Sequence, residues 1–170
     1  MTDAPIYTIG YGGRMIGDFL ALLAAFEIAL LVDVRSYPAS RFQPDYGKKR
    51  LAEHLKEAGT DYRFMGDALG GKRKEAECYL DGAIDYGRVR ALPVYRAGIA
   101  ELIELSRGAT RLAVMCAEKR PETCHRARLI GETLAEMRIP FRHIDETGAA
   151  QSHDQVMARL NDSQGDLFDG

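Results

Sequence analysis

The residues best suited to chemistry crowd one stretch, CAEKRPETCHR at Cys116 to Arg126. It holds two thiols, two carboxylates, an imidazole and two arginines. Ahead of it, Leu112 to Met115 is an apolar run of strand length. After it, Ala127, Ile130, Leu134 and Met137 recur at helical spacing, and Thr123 offers an N-cap oxygen. The spacing predicts strand, polar loop, helix, with Cys124 as the first helical residue. The unpaired N–H groups and positive dipole end of a helix favour a thiolate there, and Arg126 and Arg128 add charge. Cys124 is therefore a candidate nucleophile; the alternative is a small buried residue at a cap. At about 100° per residue, Arg126 falls beside the buried stripe and His125 nearly opposite it. His125 is then expected to meet the loop or a ligand, not to serve Cys124 as a base. Cys116 ends the strand, as core or as a ligand contact. Glu118, two residues on, either holds Arg126 or accepts a proton.

A second constellation follows the apolar run Ile28 to Val32. Asp33 and Arg35, two apart at a strand end, point to the same side of the chain. They either pair with each other, or Arg35 grips an anion while Asp33 orients it or acts as acid or base. A third lies after Ile6 to Ile9, where Gly10, Tyr11, Gly12 and Gly13 form a glycine turn before a helix. Such a turn either needs positive φ or presents backbone N–H groups to an anion. Tyr11 in the turn could offer its hydroxyl. Ser40 and Arg41, and Gly71 in the basic turn Gly70 to Arg73, complete the candidate substrate contacts, with Tyr11, Gly12, Arg35, Cys116, His125 and Arg126. The catalytic candidates are Cys124, Asp33 and Glu118.

Several templates fail on spacing. Met15 stands where a dinucleotide fingerprint needs its third glycine, so no cofactor is implied. A phosphatase loop needs Arg six after Cys, but Glu122 and Ile130 occupy those positions. The compact, Arg-ended loop of a rhodanese is also absent. Seven residues between Cys116 and Cys124 is not a zinc-finger spacing, and no fourth ligand is evident, so no metal is expected.

These residues need strands to carry them. Further elements are predicted at Lys48 to Ala58 (helix, Leu51 and Leu55 inward), from Pro93 (helix), at Phe141 to Ile144 (strand) and at Gln151 to Leu160 (short helix). Alternating strands and helices in 170 residues predict one three-layer α/β domain over 1–150, with a mainly parallel sheet and helices on both faces. Positions 151–170 are expected to add a short helix and a loose tail. In such a sheet the three constellations meet at the carboxyl edge of the strands. The longest apolar run, Phe19 to Val34, contains Glu27 and Asp33 and is too short and too charged to span a bilayer. Three cysteines cannot all pair internally, and reduced thiols in a cytoplasm are the simplest expectation. A net charge of -2 gives no overall basic field for nucleic acid. Yet Ser36 to Lys74 carries nine basic residues against five acidic, interleaved with Tyr37, Phe42, Tyr46, Tyr62 and Phe64. That mixture suits a nucleotide or nucleic-acid surface, or simply a solvated helix between polar loops.

TIGYGG at Thr8 to Gly13, DVRSYPAS at Asp33 to Ser40, LGG at Leu69 to Gly71 and CAEKRPETCHR together resemble the domain-of-unknown-function 488 family. The resemblance covers about the first 145 residues. It implies an α/β domain with these motifs gathered at one site, and no established substrate. Separately, Gln164, Leu167 and Phe168 in the tail resemble the short peptide by which bacterial repair and replication proteins dock on the sliding clamp, with glycine where the usual leucine stands. The expectation is an enzyme with an anion pocket for a phosphorylated or nucleotide-like substrate, thiol-dependent at Cys124. The alternative is a non-catalytic nucleic-acid-binding accessory of DNA maintenance.

Overall fold

The computed structural model describes residues 6–108 and 110–168, with side chains through residue 162. In chain order the regular elements are β1 (Ile6–Gly10), α1 (Ile16–Ala25), β2 (Leu30–Asp33), α2 (Lys48–Glu57), β3 (Asp61–Phe64) and the single turn α3 (Gly66–Leu69). A two-stranded ribbon follows, β4 (Tyr79–Leu80) with β5 (Ala83–Ile84), then α4 (Tyr86–Arg90), α5 (Pro93–Ser106) and β6 (Leu112–Cys116). The chain ends with α6 (Glu132–Glu136), β7 (Phe141–Ile144), β8 (Ala150–Gln151) and α7 (His153–Phe168).

The main sheet runs β3-β2-β6-β1-β7-β8, parallel except for β8. Its central strands are buried on both faces, which is why they read as continuous apolar runs. Alternate residues divide between two cores. Ile6, Val32, Leu112, Val114 and Cys116 face α4, α5 and α6, through Val89, Leu102 and Leu134 among others. Tyr7, Ile9, Leu31, Ala113 and Met115 face α1 and α2, through Phe19, Leu23, Leu51 and Leu55. Helices thus cover both faces, giving the three layers expected. Leu51 and Leu55 point inward as their spacing requires.

The connection leaving β1 runs over one face toward β2, and the one leaving β6 runs over the other face toward β7. The order therefore switches between adjacent β1 and β6, and a crevice opens outside their carboxyl ends. Gly10 pairs in register with Cys116 at this point. A Cβ on Gly10 would lie 1.7 Å from the carbonyl oxygen of Glu118, so only glycine lets the loop after β6 cross the end of β1.

Two elements depart from expectation. β3 sits in a stretch read as helix between polar loops: it is an edge strand with Asp61 and Arg63 outward, so charge masked its two-residue alternation. The final helix continues to Phe168, beyond Leu160, over the segment expected to be loose. The side chains of Gln164, Leu167 and Phe168 lie outside the described residues. No helix among the described residues is long and apolar enough to cross a membrane.

Candidate functional site

A hollow of roughly 350 Å³ opens at the switch point. From the turn after β1 it takes Tyr11; from the segment after β2, Arg35, Ser36 and Tyr37; from the basic turn, Gly71 and Lys72. Tyr86, Cys116, Ala117, Glu118, Thr123, Cys124 and His125 complete most of its wall.

Cys116 and Cys124 are both unbonded thiols, 1% and 4% exposed. Their sulfurs lie 2.6 Å apart, longer than the roughly 2.05 Å of a disulfide bond. Cys124 donates its S–H to Cys116. The local fold brings them together: Pro121–Thr123 forms a 3-10 turn, leaving Cys124 in extended conformation ahead of the helix. Its carbonyl accepts the first helical N–H groups, from Ala127 and Arg128. Cys124 is thus the residue before the helix and not its first turn, which corrects the expected start. The helix then opens with a π-turn over Arg126–Gly131 before α6, the wide form that recurs at functional sites.

That shift moves His125. Its Nδ1 is 3.4 Å from the Cys124 sulfur and its Nε2 3.0 Å from the Val34 carbonyl. A carbonyl only accepts, so Nε2 carries the proton and Nδ1 turns its lone pair to Cys124. His125 therefore stands against Cys124 and not away from it as expected, because it lies before the π-turn, where straight-helix angles do not hold. Burial pushes the His125 imidazole down to about 4, outweighing the Val34 carbonyl, and the Arg126 charge adds to this. It is a neutral imidazole packed against the Cys124 sulfur, whose one proton goes to Cys116, and not a strong base. Gly71 seats the ring: a Cβ there would fall 2.7 Å from the imidazole Cγ.

The two thiols divide the proton unequally. Burial raises Cys116, but the S–H of Cys124, the Arg126 charge and the backbone of Glu118 outweigh it and bring it below the ordinary thiol value. Burial and the bond to Cys116 push Cys124 well up. These directions favour Cys116 as the sulfur disposed to ionise, where the sequence expectation was Cys124.

Arg126 does not reach the hollow. Its side chain is 0% exposed, with Nη1 donating to Thr8 Oγ1 at 2.7 Å and to the Ile144 carbonyl. Its Nη2 donates to the carbonyls of Glu118 and Lys119, and Nε has no partner among the described residues. It ties β1, β7 and the loop after β6 together and biases the thiols through its charge. A chain of hydrogen bonds leads away from it: Thr8 to His143 at 2.5 Å, His143 to His153 at 3.0 Å, and His153 to Glu132 at 2.9 Å. Burial, with the charges of Arg126 and His153, holds His143 well below the ordinary imidazole value.

Asp33 and Arg35 form the pair that was the alternative to an anion grip. Arg35 Nε and Nη2 bind the two Asp33 oxygens at 2.9 and 2.8 Å, and Nη1 donates to the Tyr46 carbonyl. Tyr62 donates its hydroxyl to Asp33 at 2.7 Å. Asp33 is buried behind Arg35 and off the hollow, so it positions that guanidinium, which lies 5.3 Å from the Tyr11 ring centroid. The glycine turn offers no anion cradle through its first N–H groups: those of Tyr11 and Gly12 bind the carbonyls of Cys116 and Ala117. Gly12 therefore does not touch the hollow; it lets the chain pass Ala117, whose oxygen a Cβ would meet at 2.7 Å. Gly13 does hold a positive φ of 71°.

Glu118 is exposed on the rim, and only its main-chain oxygen meets Arg126. Ser40 accepts the Gln43 N–H and, like exposed Arg41, flanks the hollow without lining it. Lys72 lines the rim, 5.9 Å from the Tyr37 ring, and Ser36 clamps its main chain. Arg73 turns inward to Glu75 and the carbonyls of Asp67 and Ala68, so it adds nothing to a basic surface. Tyr86 escaped the sequence reading. The available signal was Asp85, which caps the short helix α4 by accepting the Arg88 N–H. No group of three or more potential metal ligands gathers among the described residues.

The molecule is thus an α/β domain with a thiol pair and a histidine at a sheet switch point. Residues 15–134 match the family model described as "Domain of unknown function DUF488", and the chain belongs to that family. The match begins after the glycine turn and takes in both cysteines. No curated protein and no solved structure matches the chain.

Proposed function

We propose that this chain is a thiol-dependent enzyme acting on a small phosphorylated or nucleotide-like substrate seated in the hollow, with Cys116 as the attacking sulfur. One observation carries the reading: two thiols in contact on the floor of a solvent-open hollow, one of them donating to the other. A thiolate needs hydrogen-bond or charge support to exist while buried, and both act on Cys116. Cys124 donates the hydrogen bond that supports the attacking sulfur, and the His125 ring packs against Cys124. Glu118 stands at the rim as an acid or base for the leaving side of the substrate. Lys72 supplies positive charge, and Tyr37 and Tyr86 supply flat faces for a base.

A ligand in the hollow must shield Cys116. A panel of nucleoside and sugar phosphates is expected to contain compounds that slow alkylation of Cys116 by iodoacetamide, with protection weakened in Lys72→Ala and Tyr37→Ala. Alkylation indifferent to every phosphorylated compound at millimolar concentration would exclude this substrate class.

A second reading, a nucleic-acid-binding accessory, is favoured by the exposed aromatics Tyr37 (72%) and Phe42 (91%) beside exposed Arg41 and Lys72. It predicts single-strand binding that weakens steeply with salt and falls further in Arg41→Ala and Lys72→Ala. Binding that does not change with salt would remove it.

A further inference from the structure

The second thiol narrows the chemistry that the first can perform. We propose that Cys116 and Cys124 are a two-electron redox couple, in which Cys116 reduces a small hydroperoxide and Cys124 closes the disulfide. The inference rests on the reading of Cys116 as the attacking sulfur and adds to it the class of co-substrate.

Three observations point there. The sulfurs are 2.6 Å apart on separate elements, one at the end of β6 and one before the π-turn. Both line the hollow, yet each is at most 4% exposed, so only a small reactant reaches them. Glu118 and Lys72 line the same hollow, but no carboxylate or lysine side chain among the described residues bonds to either sulfur. The neighbouring thiol supports Cys116 before any attack, but a carbon or phosphorus adduct leaves it no sulfur–sulfur bond to close. An adduct that makes Cys116 sulfur electrophilic is captured at once, because the capturing atom is already in contact.

The steps balance. The Cys116 thiolate attacks the terminal oxygen of ROOH; the O–O bond breaks and Cys116 becomes a sulfenic acid, oxidised by two electrons. RO⁻ leaves and takes up the proton that Cys116 had released to solvent. The Cys124 sulfur then attacks the Cys116 sulfur. The S–O bond breaks, and the departing hydroxide takes the Cys124 proton and leaves as water. Two equivalents of a low-molecular-weight thiol return the pair to the dithiol and are themselves joined as a disulfide. His125, bonded to Val34 through Nε2, packs its ring against the Cys124 sulfur. Cys78, buried in the core with its thiol raised chiefly by burial, takes no part.

The full-length protein is treated with one equivalent of hydrogen peroxide and digested without reduction, and the peptides are weighed. A disulfide joining the Cys116 and Cys124 peptides, reversed by dithiothreitol, with Cys78 left free, is the expected result. In Cys124→Ser, Cys116 is expected to stop as a sulfenic acid that dimedone traps, at least ten times more abundant than in the unaltered chain. Iodoacetamide labelling of the same protein separates the two levels. Ready alkylation of Cys116 without disulfide formation overturns the redox couple and leaves Cys116 as the nucleophile. Failure of Cys116 to react with either reagent overturns both. Oxidation of Cys124 alone, or a disulfide involving Cys78, also overturns the proposal.

Discussion

Which sulfur keeps the proton decides the chemistry available at Cys116 and Cys124. Their bond places the proton on Cys124, so Cys116 depends on its neighbour. Cys124→Ala is expected to raise the midpoint of the ultraviolet thiolate absorbance of Cys116 toward or above the ordinary thiol value, since burial then acts with only Arg126 and Glu118 against it. An unmoved midpoint would show that Arg126 and the Glu118 backbone sustain the thiolate without Cys124. Arg126 itself is a tie between strands and loop, not a substrate grip. Arg126→Ala strands Thr8 and three main-chain oxygens without a donor, which costs about 3 kcal/mol or more. The variant is expected to lose cooperative unfolding in urea; a fold of undiminished stability would show that Arg126 does not tie the strands and the loop together.

Individual elements explain how far the sequence could be read. Apolar runs and caps located β1, β2, β6, β7, α1, α2 and α5, because these elements bury continuous or periodic faces. From their order alone, Tyr11, Arg35, Cys116, Glu118, Cys124 and His125 could be brought to one edge, and they do line one hollow. What stayed hidden depends on backbone detail. The extended Cys124 and the following π-turn displace His125 by enough to reverse its relation to Cys124, and no residue spacing announces a π-turn. Likewise, an Asp and an Arg two apart read equally as a pair or as a grip until Tyr46 and Tyr62 are seen to complete the pair. The glycines, by contrast, proved to be sites of close approach. Gly10→Ala would drive a methyl group into the Glu118 carbonyl and is expected to destabilise the fold by roughly 1–3 kcal/mol. Gly71→Ala would press on the His125 ring and is expected to slow Cys116 alkylation with a much smaller shift in the urea midpoint. Equal loss of stability in both variants would contradict that division between scaffold and site.

The whole molecule should register its buried imidazoles in its response to pH. His125 is held at about 4 and His143 well below its ordinary value, so the folded chain refuses protons that the unfolded chain accepts. Below about pH 6.5 the unfolded imidazoles protonate first, and stability falls with pH until the folded imidazoles titrate in turn. Above that range these two groups contribute no further change. The urea midpoint is expected to be flat above neutrality and to decline from about pH 6.5 toward 4, less steeply in His125→Gln. An identical decline in that variant would mean that His125 is not held neutral by the fold. The most direct test of the thiol pair is the pH profile of iodoacetamide alkylation, read separately at each cysteine by peptide mass spectrometry. Cys116 is expected to react first, with a midpoint below the ordinary thiol range, and Cys124 only at higher pH. Cys124 reacting first, or both cysteines titrating as ordinary thiols, would contradict the assignment of Cys116 as the working sulfur.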